Sequence, residues 1–195
     1  MKFVKRIDVL ILCIGTMLSS CASYRATELS ALDPVFVKEC ENAEGLQVGC
    51  KEFGDRDCDT YLDRDVRRKG YHAVQLTFQN SSDKCYKFSS DNLSIPCAKV
   101  DEVAGMVHTS TLGRMLLFAP LVLPSIVDGV LSSNANTRLD DDFARKAKSS
   151  FTIEPHSFKK TIVFIPHDRY ESSFDLILEE QPTGEFKRVR LRPTR

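Results

Sequence analysis

The chain has 195 residues, a length that suits one domain with a sizeable hydrophobic core. Its 27 Lys and Arg residues balance its 27 Asp and Glu residues, so the formal net charge at pH 7 is zero. A neutral chain lacks the broad positive field on which sequence-independent binding of phosphate backbones depends, so we expect no nucleic-acid partner.

The first 20 residues have the anatomy of an export signal. The stretch from Met1 to Arg6 is basic, and an apolar run from Val9 to Leu18 follows it. This run has the length of a signal-peptide core and is too short to span a bilayer comfortably. Removal of the signal takes away three basic residues and one acidic residue, which leaves 24 against 26 in the mature chain.

Leu18-Ser19-Ser20-Cys21 lies directly after the apolar run. It resembles the lipobox of bacterial lipoproteins, in which an aliphatic residue and two small residues precede a cysteine. The resemblance implies cleavage after Ser20, a thioether-linked diacylglycerol on Cys21 and acylation of the new amino terminus, with palmitate among the fatty acids. Several acyl chains together make a stable membrane anchor. Ala22 after the cysteine implies sorting to the outer membrane, where we expect the chain to face the periplasm.

Residues 21–33 are poor in large apolar side chains and are predicted to form a lipidated tether, and residues 34–195 are predicted to form a single domain. Leu46, Val48 and Cys50 alternate with other residues, which indicates a strand. The clearest alternation lies in His72–Asn80, where Val74, Leu76 and Phe78 are separated by Gln75, Thr77 and Gln79. This pattern predicts a strand with one buried face and one wet face.

Further short segments with strand character follow, separated by polar, proline or glycine turns. They are Tyr86–Phe88, Phe151–Ile153, Thr161–Ile165, Phe174–Leu178 and Val189–Arg192. The chain is therefore expected to be mainly β with some α, as an antiparallel β-sandwich that resembles the immunoglobulin-like architecture of uncharacterised bacterial lipoproteins. The cysteine and tryptophan marks of true immunoglobulin domains are missing, since the chain has no Trp.

A helical insertion is predicted at about residues 99–149. Val100, Val103 and Val107 recur at helical spacing, and Leu139, Phe143 and Ala147 do so at i, i+4 and i+8. Three aspartates, Asp140 to Asp142, are expected in the first turn of the later helix and basic residues near its end, as the helix dipole favours.

The insertion contains an apolar segment from Met115 to Leu131 that is interrupted by Pro120 and Pro124. The prolines make it a poor membrane span. One interpretation is that two short helices meet at the prolines and pack as core. The other is an exposed surface for a partner, a lipid or the membrane. The candidate contact residues are Leu116, Leu117, Phe118, Leu121, Val122 and Leu123.

Seven cysteines are present, of which Cys13 leaves with the signal and Cys21 takes the lipid. The disulfide candidates are Cys40, Cys50, Cys58, Cys85 and Cys97. An odd number in an oxidising compartment predicts up to two disulfides and one free thiol. We predict a bridge between Cys85 and Cys97, because they flank a strand-turn-strand segment. No CxxC pair supports a metal site.

Other charged residues give little support for catalysis or metal binding. Asp55, Asp57, Asp59, Asp63 and Asp65 depart from the EF-hand pattern, and the arginines among them favour a salt-bridged surface. The four histidines are scattered and form no catalytic motif, and the segment His167–Tyr170 resembles an ordinary polar loop. We therefore expect no metal, no cofactor and no catalytic residues.

The sequence predicts a membrane-anchored envelope lipoprotein with a non-catalytic structural or protein-binding role. An alternative is a periplasmic carrier that holds a lipid or another apolar ligand between the sheet and the 115–131 segment. A second alternative is a thiol-dependent envelope enzyme, which requires a free cysteine of low pKa.

Overall fold

The computed structural model describes residues 23–32, 37–39, 45–109 and 122–193, with the backbone alone for 37–39 and 122–132. Eight strands and three α-helices occur in this part of the chain. The strands are β1 Val37–Glu39, β2 Leu46–Glu52, β3 Tyr71–Asn80, β4 Cys85–Ser89, β5 Ser150–Ile153, β6 Ser157–Pro166, β7 Phe174–Gln181 and β8 Glu185–Leu191. The helices are α1 Asp55–Tyr61, α2 Val100–Val107 and α3 Val122–Lys146, with 3₁₀ turns at Arg67–Lys69, Ser90–Asn92 and His167–Arg169.

The strands form two antiparallel sheets of four strands each. Sheet I has the order β1-β2-β3-β6, and sheet II has the order β5-β4-β7-β8. The prediction of a mainly antiparallel β protein with some helix is confirmed, and the two sheets are compatible with a β-sandwich. Every alternating segment named from the sequence lies in one of these strands, because period-two burial is the strongest local signal that a strand leaves.

The inward-facing rows of both sheets meet in one hydrophobic core. On β3 this row is Val74, Leu76 and Phe78, and each of the three side chains is fully buried. β2, β4, β5, β6, β7 and β8 contribute to the same cluster. Phe78 packs against Phe88 of β4, with ring centroids 5.1 Å apart, so aromatic contact joins the two sheets directly.

The outward face of sheet I is also buried, which corrects the prediction that one face of β3 is wet. Gln75 and Thr77 are 1% and 3% exposed. Phe164 of β6 belongs to the same outward face and stacks on Phe143 of α3, with centroids 5.5 Å apart. The polar side chain of Gln75 is tolerated here because its Nε2 donates a hydrogen bond to the carbonyl oxygen of Ser30, at 2.8 Å.

Residues 25–32 form an extended strap that is held to the outward side of sheet I by its own carbonyl groups. Lys160 Nζ of β6 donates to the carbonyl of Leu29 at 2.6 Å, beside the bond from Gln75. At the amino end of the strap, the backbone N–H of Arg25 donates to Asp63 Oδ2 at 2.9 Å. This strap lies within the segment that the sequence assigns to the tether.

Lys146 joins three elements through one buried ammonium group. Its Nζ donates to the carbonyls of Thr27 and Tyr61 at 2.6 and 2.7 Å, and to Asp142 Oδ2 at 2.6 Å. The side chain of Lys146 is only 2% exposed. A buried charge of this kind is stable only because all three of its donors are used.

The helices between β4 and β5 agree only in part with those predicted from the sequence. α2 contains Val100, Val103 and Val107, and Val103 is fully buried. α3 runs without a break from Val122 to Lys146, so Pro124 lies in its first turn, where a proline removes no internal hydrogen bond. The helix is continuous through Pro124, whereas Pro120, the other proline at which two short helices were predicted to meet, lies outside the described residues.

The chain divides into two compact units, one formed by residues 1–24 and 108–139 and the other by residues 25–107 and 140–195. In the first unit, Asn136 accepts a hydrogen bond from the backbone N–H of Thr109 and donates one to its carbonyl, at 3.0 and 3.2 Å. The second unit contains both sheets. Among the described residues, no helix has the length and apolar character needed to cross a membrane.

Replacement of Lys146 by Met tests the anchoring role of the buried ammonium. Lys146→Met leaves Asp142 and two carbonyls without this donor, and we expect it to lower the free energy of unfolding by about 3 kcal/mol. Lys148→Met is the matched control, because Lys148 is exposed and lies two residues further along. Urea denaturation of both variants measures the difference, and equal stability of the two would contradict this account.

Candidate functional site

The residues proposed for lipidation and for apolar contact fall largely outside the described part of the chain. Cys21, Leu116, Leu117, Phe118 and Leu121 lie outside it. Val122 and Leu123 begin α3, where only the backbone is described. The lipid anchor, the contact surface at residues 116–123 and the carrier alternative therefore remain predictions.

The predicted bridge between Cys85 and Cys97 is wrong, since both thiols are free. Cys85 pairs with Gln181 at one end of β7, whereas Leu93, shortly before Cys97, pairs with Leu176 near the other end of that strand. Ala98, next to Cys97, donates its N–H to Phe164 opposite Ala73, whereas Lys84, next to Cys85, accepts a hydrogen bond from Asn80 at the other end of β3. Seven residues along a strand span about 24 Å, well beyond the Cα separation of about 7 Å that a disulfide tolerates. The tertiary path carries Cys97 away from the turn that it flanks in the sequence.

The other disulfide candidates give no second bridge within the described part of the chain. Cys40 lies outside the described residues, Cys50 is buried in the core row of β2, and Cys58 is a buried free thiol in α1. The thiol of Cys85 donates a hydrogen bond to Glu154 Oε2, with Sγ and Oε2 3.4 Å apart. These positions do not bring any two of the described cysteines into a bridge.

Three of the thiols are in surroundings that disfavour the reactive thiolate. Burial, with a smaller contribution from Asp65, raises the pKa of Cys58 to about 12. Burial raises the pKa of Cys97 to about 12 as well. Burial and the hydrogen bond to Glu154 raise the pKa of Cys85. A catalytic thiol needs a lowered pKa, so none of these three has the electrostatics of a nucleophile.

The acidic residues around α1 form ion pairs with neighbouring basic residues, as the arginines in this segment predict. The closest pair is Asp55 with Arg67, at 2.6 Å. Asp57, Asp63 and Asp65 pair with Lys51, Arg64 and Arg68 at distances of 2.9 to 3.1 Å. In the described ranges, no group of three or more His, Cys, Asp or Glu side chains is arranged to hold a metal ion.

The outward face of sheet II exposes two large apolar side chains next to each other. Phe186 of β8 is 70% exposed and Ile177 of β7 is 38% exposed. Ile177 pairs with Arg188 and Phe186 pairs with Glu179, so the two apolar residues are diagonal neighbours on one side of the sheet. Sheet I, by contrast, buries most of its outward face, around Gln75, Thr77 and Phe164, although Phe158 at the end of that face is exposed.

The charged side chains around these apolar residues include two exposed arginines, and Glu179, opposite Phe186, is partly exposed. Arg188 and Arg190 of β8 both pair with Asp175, which is only 6% exposed. The side chains of the two arginines are 68% and 56% exposed. The guanidinium groups thus cover the carboxylate and face solvent. We name the surface formed by Ile177, Phe186, Arg188 and Arg190 the β7–β8 face.

A second cluster of polar side chains lies at one end of sheet I. From the sequence, the histidines were expected to be scattered and His167–Tyr170 to be an ordinary polar loop. Glu52 Oε1 is 2.8 Å from His72 Nδ1, and Tyr170 donates its hydroxyl to Glu52 Oε2 at 3.0 Å. The ring of His72 stacks on Tyr170 at 3.9 Å and contacts His167 at 4.4 Å. We name Glu52, His72, His167 and Tyr170 the histidine cluster.

The sequence contained a signal for each of these two groups. The alternation Val189-Arg-Leu191-Arg places the arginines of β8 outward, but Phe186 was missed because the predicted strand began four residues too late. Continuation of the inward rows of β2 and β3 by one step reaches Glu52 and His72. His167 and Tyr170 follow β6 on a 3₁₀ turn, and only the fold brings them to this end of the sheet.

Comparison of the sequence with known protein families and with curated proteins finds no match.

Burial of the thiols predicts slow alkylation. A rise in pKa from 9.0 to about 12 lowers the thiolate fraction of Cys58 and Cys97 roughly a thousandfold near pH 8. We expect iodoacetamide to modify both residues at least a hundredfold faster in urea-unfolded protein than in folded protein, as measured by peptide mass spectrometry. Rapid alkylation of either residue in the folded protein would instead support the thiol-enzyme alternative.

Proposed function

We propose that this chain is an outer-membrane lipoprotein, anchored through lipid on Cys21 and facing the periplasm, that binds another envelope protein and has no catalytic role. The anchor is supported by Leu18-Ser19-Ser20-Cys21 behind a signal-like apolar run. The binding role is carried by a single structural observation, the exposure of Phe186 beside Ile177 on an open sheet face.

The strap supports a short connection between the lipid and the folded body. Three residues separate Cys21 from Arg25, whose N–H donates to Asp63, and the four steps from Cα to Cα reach about 14 Å at full extension. The strap contacts the outward side of sheet I, whereas the β7–β8 face is on the outward side of sheet II. The proposed binding face is therefore on the side of the core opposite the strap.

The chemistry of the β7–β8 face indicates the kind of partner. Arg and large aromatic residues are enriched among the residues that dominate binding energy at protein interfaces. Phe186 supplies an apolar centre, and Arg188 and Arg190 supply a positively charged rim. A protein surface with an apolar pocket and an acidic rim would complement it, because complementary charges steer association and fix orientation.

We also propose that the fold is an immunoglobulin-like sandwich with a helical insertion. The strand order supports this: β2-β3-β6 and β5-β4-β7-β8 correspond to strands A-B-E and C′-C-F-G of that architecture, with β1 added at an edge. α2 and α3 lie between β4 and β5, in the position of the predicted insertion.

The lipid anchor is tested by the change Cys21→Ser. Without a thiol at position 21 no diacylglycerol can be attached, so we expect loss of palmitate incorporation and accumulation of the uncleaved precursor. Metabolic labelling with an alkyne palmitate analogue and fractionation of membranes measure both effects. Cys13→Ser is the control, because it removes a thiol from the signal and leaves position 21 intact. Undiminished labelling of Cys21→Ser would refute the anchor.

The binding face is tested by photo-crosslinking in cells. A photoreactive residue at position 186 or 177 is expected to give one discrete adduct with a second envelope protein. The same residue at position 158 is the control, because Phe158 is also exposed, at 46%, but lies on β6 of sheet I. We expect Arg188→Glu to reduce the adduct at 186 about tenfold, since it reverses one charge of the rim.

Three other outcomes would contradict the proposed binding face or its partner. No adduct at positions 177 and 186, or an adduct insensitive to Arg188→Glu, contradicts the proposed face. An adduct of twice the mass of the chain indicates self-association and contradicts an acidic partner. An adduct obtained only from position 121 assigns the contact to the predicted apolar segment. Circular dichroism of each variant establishes that the fold is retained.

A further inference from the structure

The histidine cluster occupies the end of a core-facing row. On β2 the inward row runs through Cys50 to Glu52, and on β3 it runs through Val74 to His72. Glu52 pairs with Val74 in the register of sheet I, so its carboxylate continues the apolar row. Glu52 is 4% exposed. A carboxylate in such a position requires hydrogen-bond donors, because an unpaired buried charge is strongly destabilising.

The donors to Glu52 fix the orientation and the tautomer of His72. An ionised carboxylate only accepts hydrogen bonds, so the contact at 2.8 Å places a proton on His72 Nδ1. The hydroxyl of Tyr170 donates a hydrogen bond to the other carboxylate oxygen of Glu52, at 3.0 Å. In this Nδ1–H tautomer the lone pair of the imidazole is on Nε2. In the described part of the chain, no hydrogen bond to this nitrogen is formed.

His167 is held beside that ring by the backbone. Tyr71 of β3 pairs with Pro166 of β6, and the N–H of His167 donates to the carbonyl of Gly70 at 2.9 Å. The ring centroids of His72 and His167 are therefore 4.4 Å apart, at an interplanar angle of 52°. The side chain of His72 is 14% exposed and His167 is exposed, so solutes can reach the pair from the solvent.

We propose that His72 and His167 form a two-histidine binding site for a borderline divalent metal ion, with Zn²⁺ as the representative. Imidazole nitrogen is a preferred ligand of Zn²⁺, Cu²⁺ and Ni²⁺. Two nitrogens at about 2.1 Å from a tetrahedral zinc lie about 3.4 Å apart, a separation compatible with ring centroids 4.4 Å apart. Water fills the remaining coordination positions.

Glu52 has the position of the carboxylate that commonly supports a metal-binding histidine. Such a carboxylate accepts the N–H of the ligand's second ring nitrogen, which fixes the tautomer and raises the basicity of the ligand. The observed order, Tyr170 to Glu52 to His72, extends this support by one more hydrogen bond. The competing explanation is that the rings only pack together at the end of the core.

Zinc titration of the purified lipidated chain in detergent micelles distinguishes these explanations. Isothermal titration calorimetry is expected to show one Zn²⁺ per chain, and His167→Ala is expected to weaken binding at least tenfold. This variant is chosen first because His167 is exposed, so its truncation spares the core. His156→Ala is the matched control, since His156 also has a carboxylate neighbour, Asp83 at 2.9 Å, but lies outside the cluster.

Variants of the supporting residues and a spectroscopic measurement complete the test. Glu52→Gln is expected to weaken zinc binding 10- to 100-fold. Nitrogen-15 NMR of the imidazole rings is expected to show zinc at Nε2 of His72 while Nδ1 keeps its proton. Circular dichroism identifies any variant that unfolds. The His167→Ala result and the NMR spectrum of the parent protein decide the question even if Glu52→Gln does not fold.

Three results would overturn the proposal. One is the absence of stoichiometric zinc binding. Another is binding that is unchanged in His167→Ala, or that falls equally in His156→Ala. The third is zinc bound with no shift of the His72 ring nitrogens, which would place it on other ligands such as the thiols of Cys85 or Cys97.

Discussion

The burial of sheet I on both faces is the constraint on which the rest of the structure depends. β3 runs through the centre of this sheet, with Val74, Leu76 and Phe78 against sheet II and Gln75 and Thr77 on the opposite buried side. Apolar burial stabilises the first side without any requirement of direction. The second side contains polar groups, whose burial is favourable only where hydrogen bonds are formed. Gln75 donates one to Ser30, whereas the buried hydroxyl of Thr77 has no hydrogen-bond partner in the described part of the chain.

The strap and Lys146 provide several of those hydrogen bonds. Three carbonyls of the strap, at residues 27, 29 and 30, accept hydrogen bonds. The donors are Lys146 of α3, Lys160 of β6 and Gln75 of β3. The strap also buries the side chain of Leu29, and its Thr27, Glu28 and Ser30 side chains contact Thr60, Arg145 and Tyr61. A segment with the composition of a linker thus becomes part of the folded body through backbone and side-chain contacts together.

Because one side of sheet I is covered by the strap, the proposed functions use different surfaces of the molecule. The strap side is connected to Cys21 by a short stretch of chain, which suits attachment to a membrane. The outward side of sheet II keeps Phe186 and Ile177 accessible, with two arginines that hide the carboxylate of Asp175. The end of sheet I carries the histidine cluster, where a buried carboxylate orients an imidazole. The proposed attachment, protein binding and metal binding therefore use three different surfaces.

The sequence by itself determined the strands, the helix-rich region between them and the lipobox-like motif, because these depend on local periodicity and on short motifs. Alternation located all of β2 to β8, although it missed the first residues of β6 and β8. It also fixed which side of each strand is apolar. The same rows lead to Glu52 and His72, so half of the histidine cluster was implicit in the pattern.

Only the tertiary structure decided how these parts meet. Local pattern does not show that the polar side of β3 is covered, because Gln75 is stabilised by the carbonyl of Ser30, 45 residues away. It does not show that Cys85 and Cys97 lie apart, since the path of the chain across β7 separates them. Nor does it bring His167 beside His72, because that contact depends on the pairing of β3 with β6. Contacts between residues distant in sequence are set by strand pairing and by the satisfaction of buried polar groups, and neither leaves a signal in a short stretch of sequence.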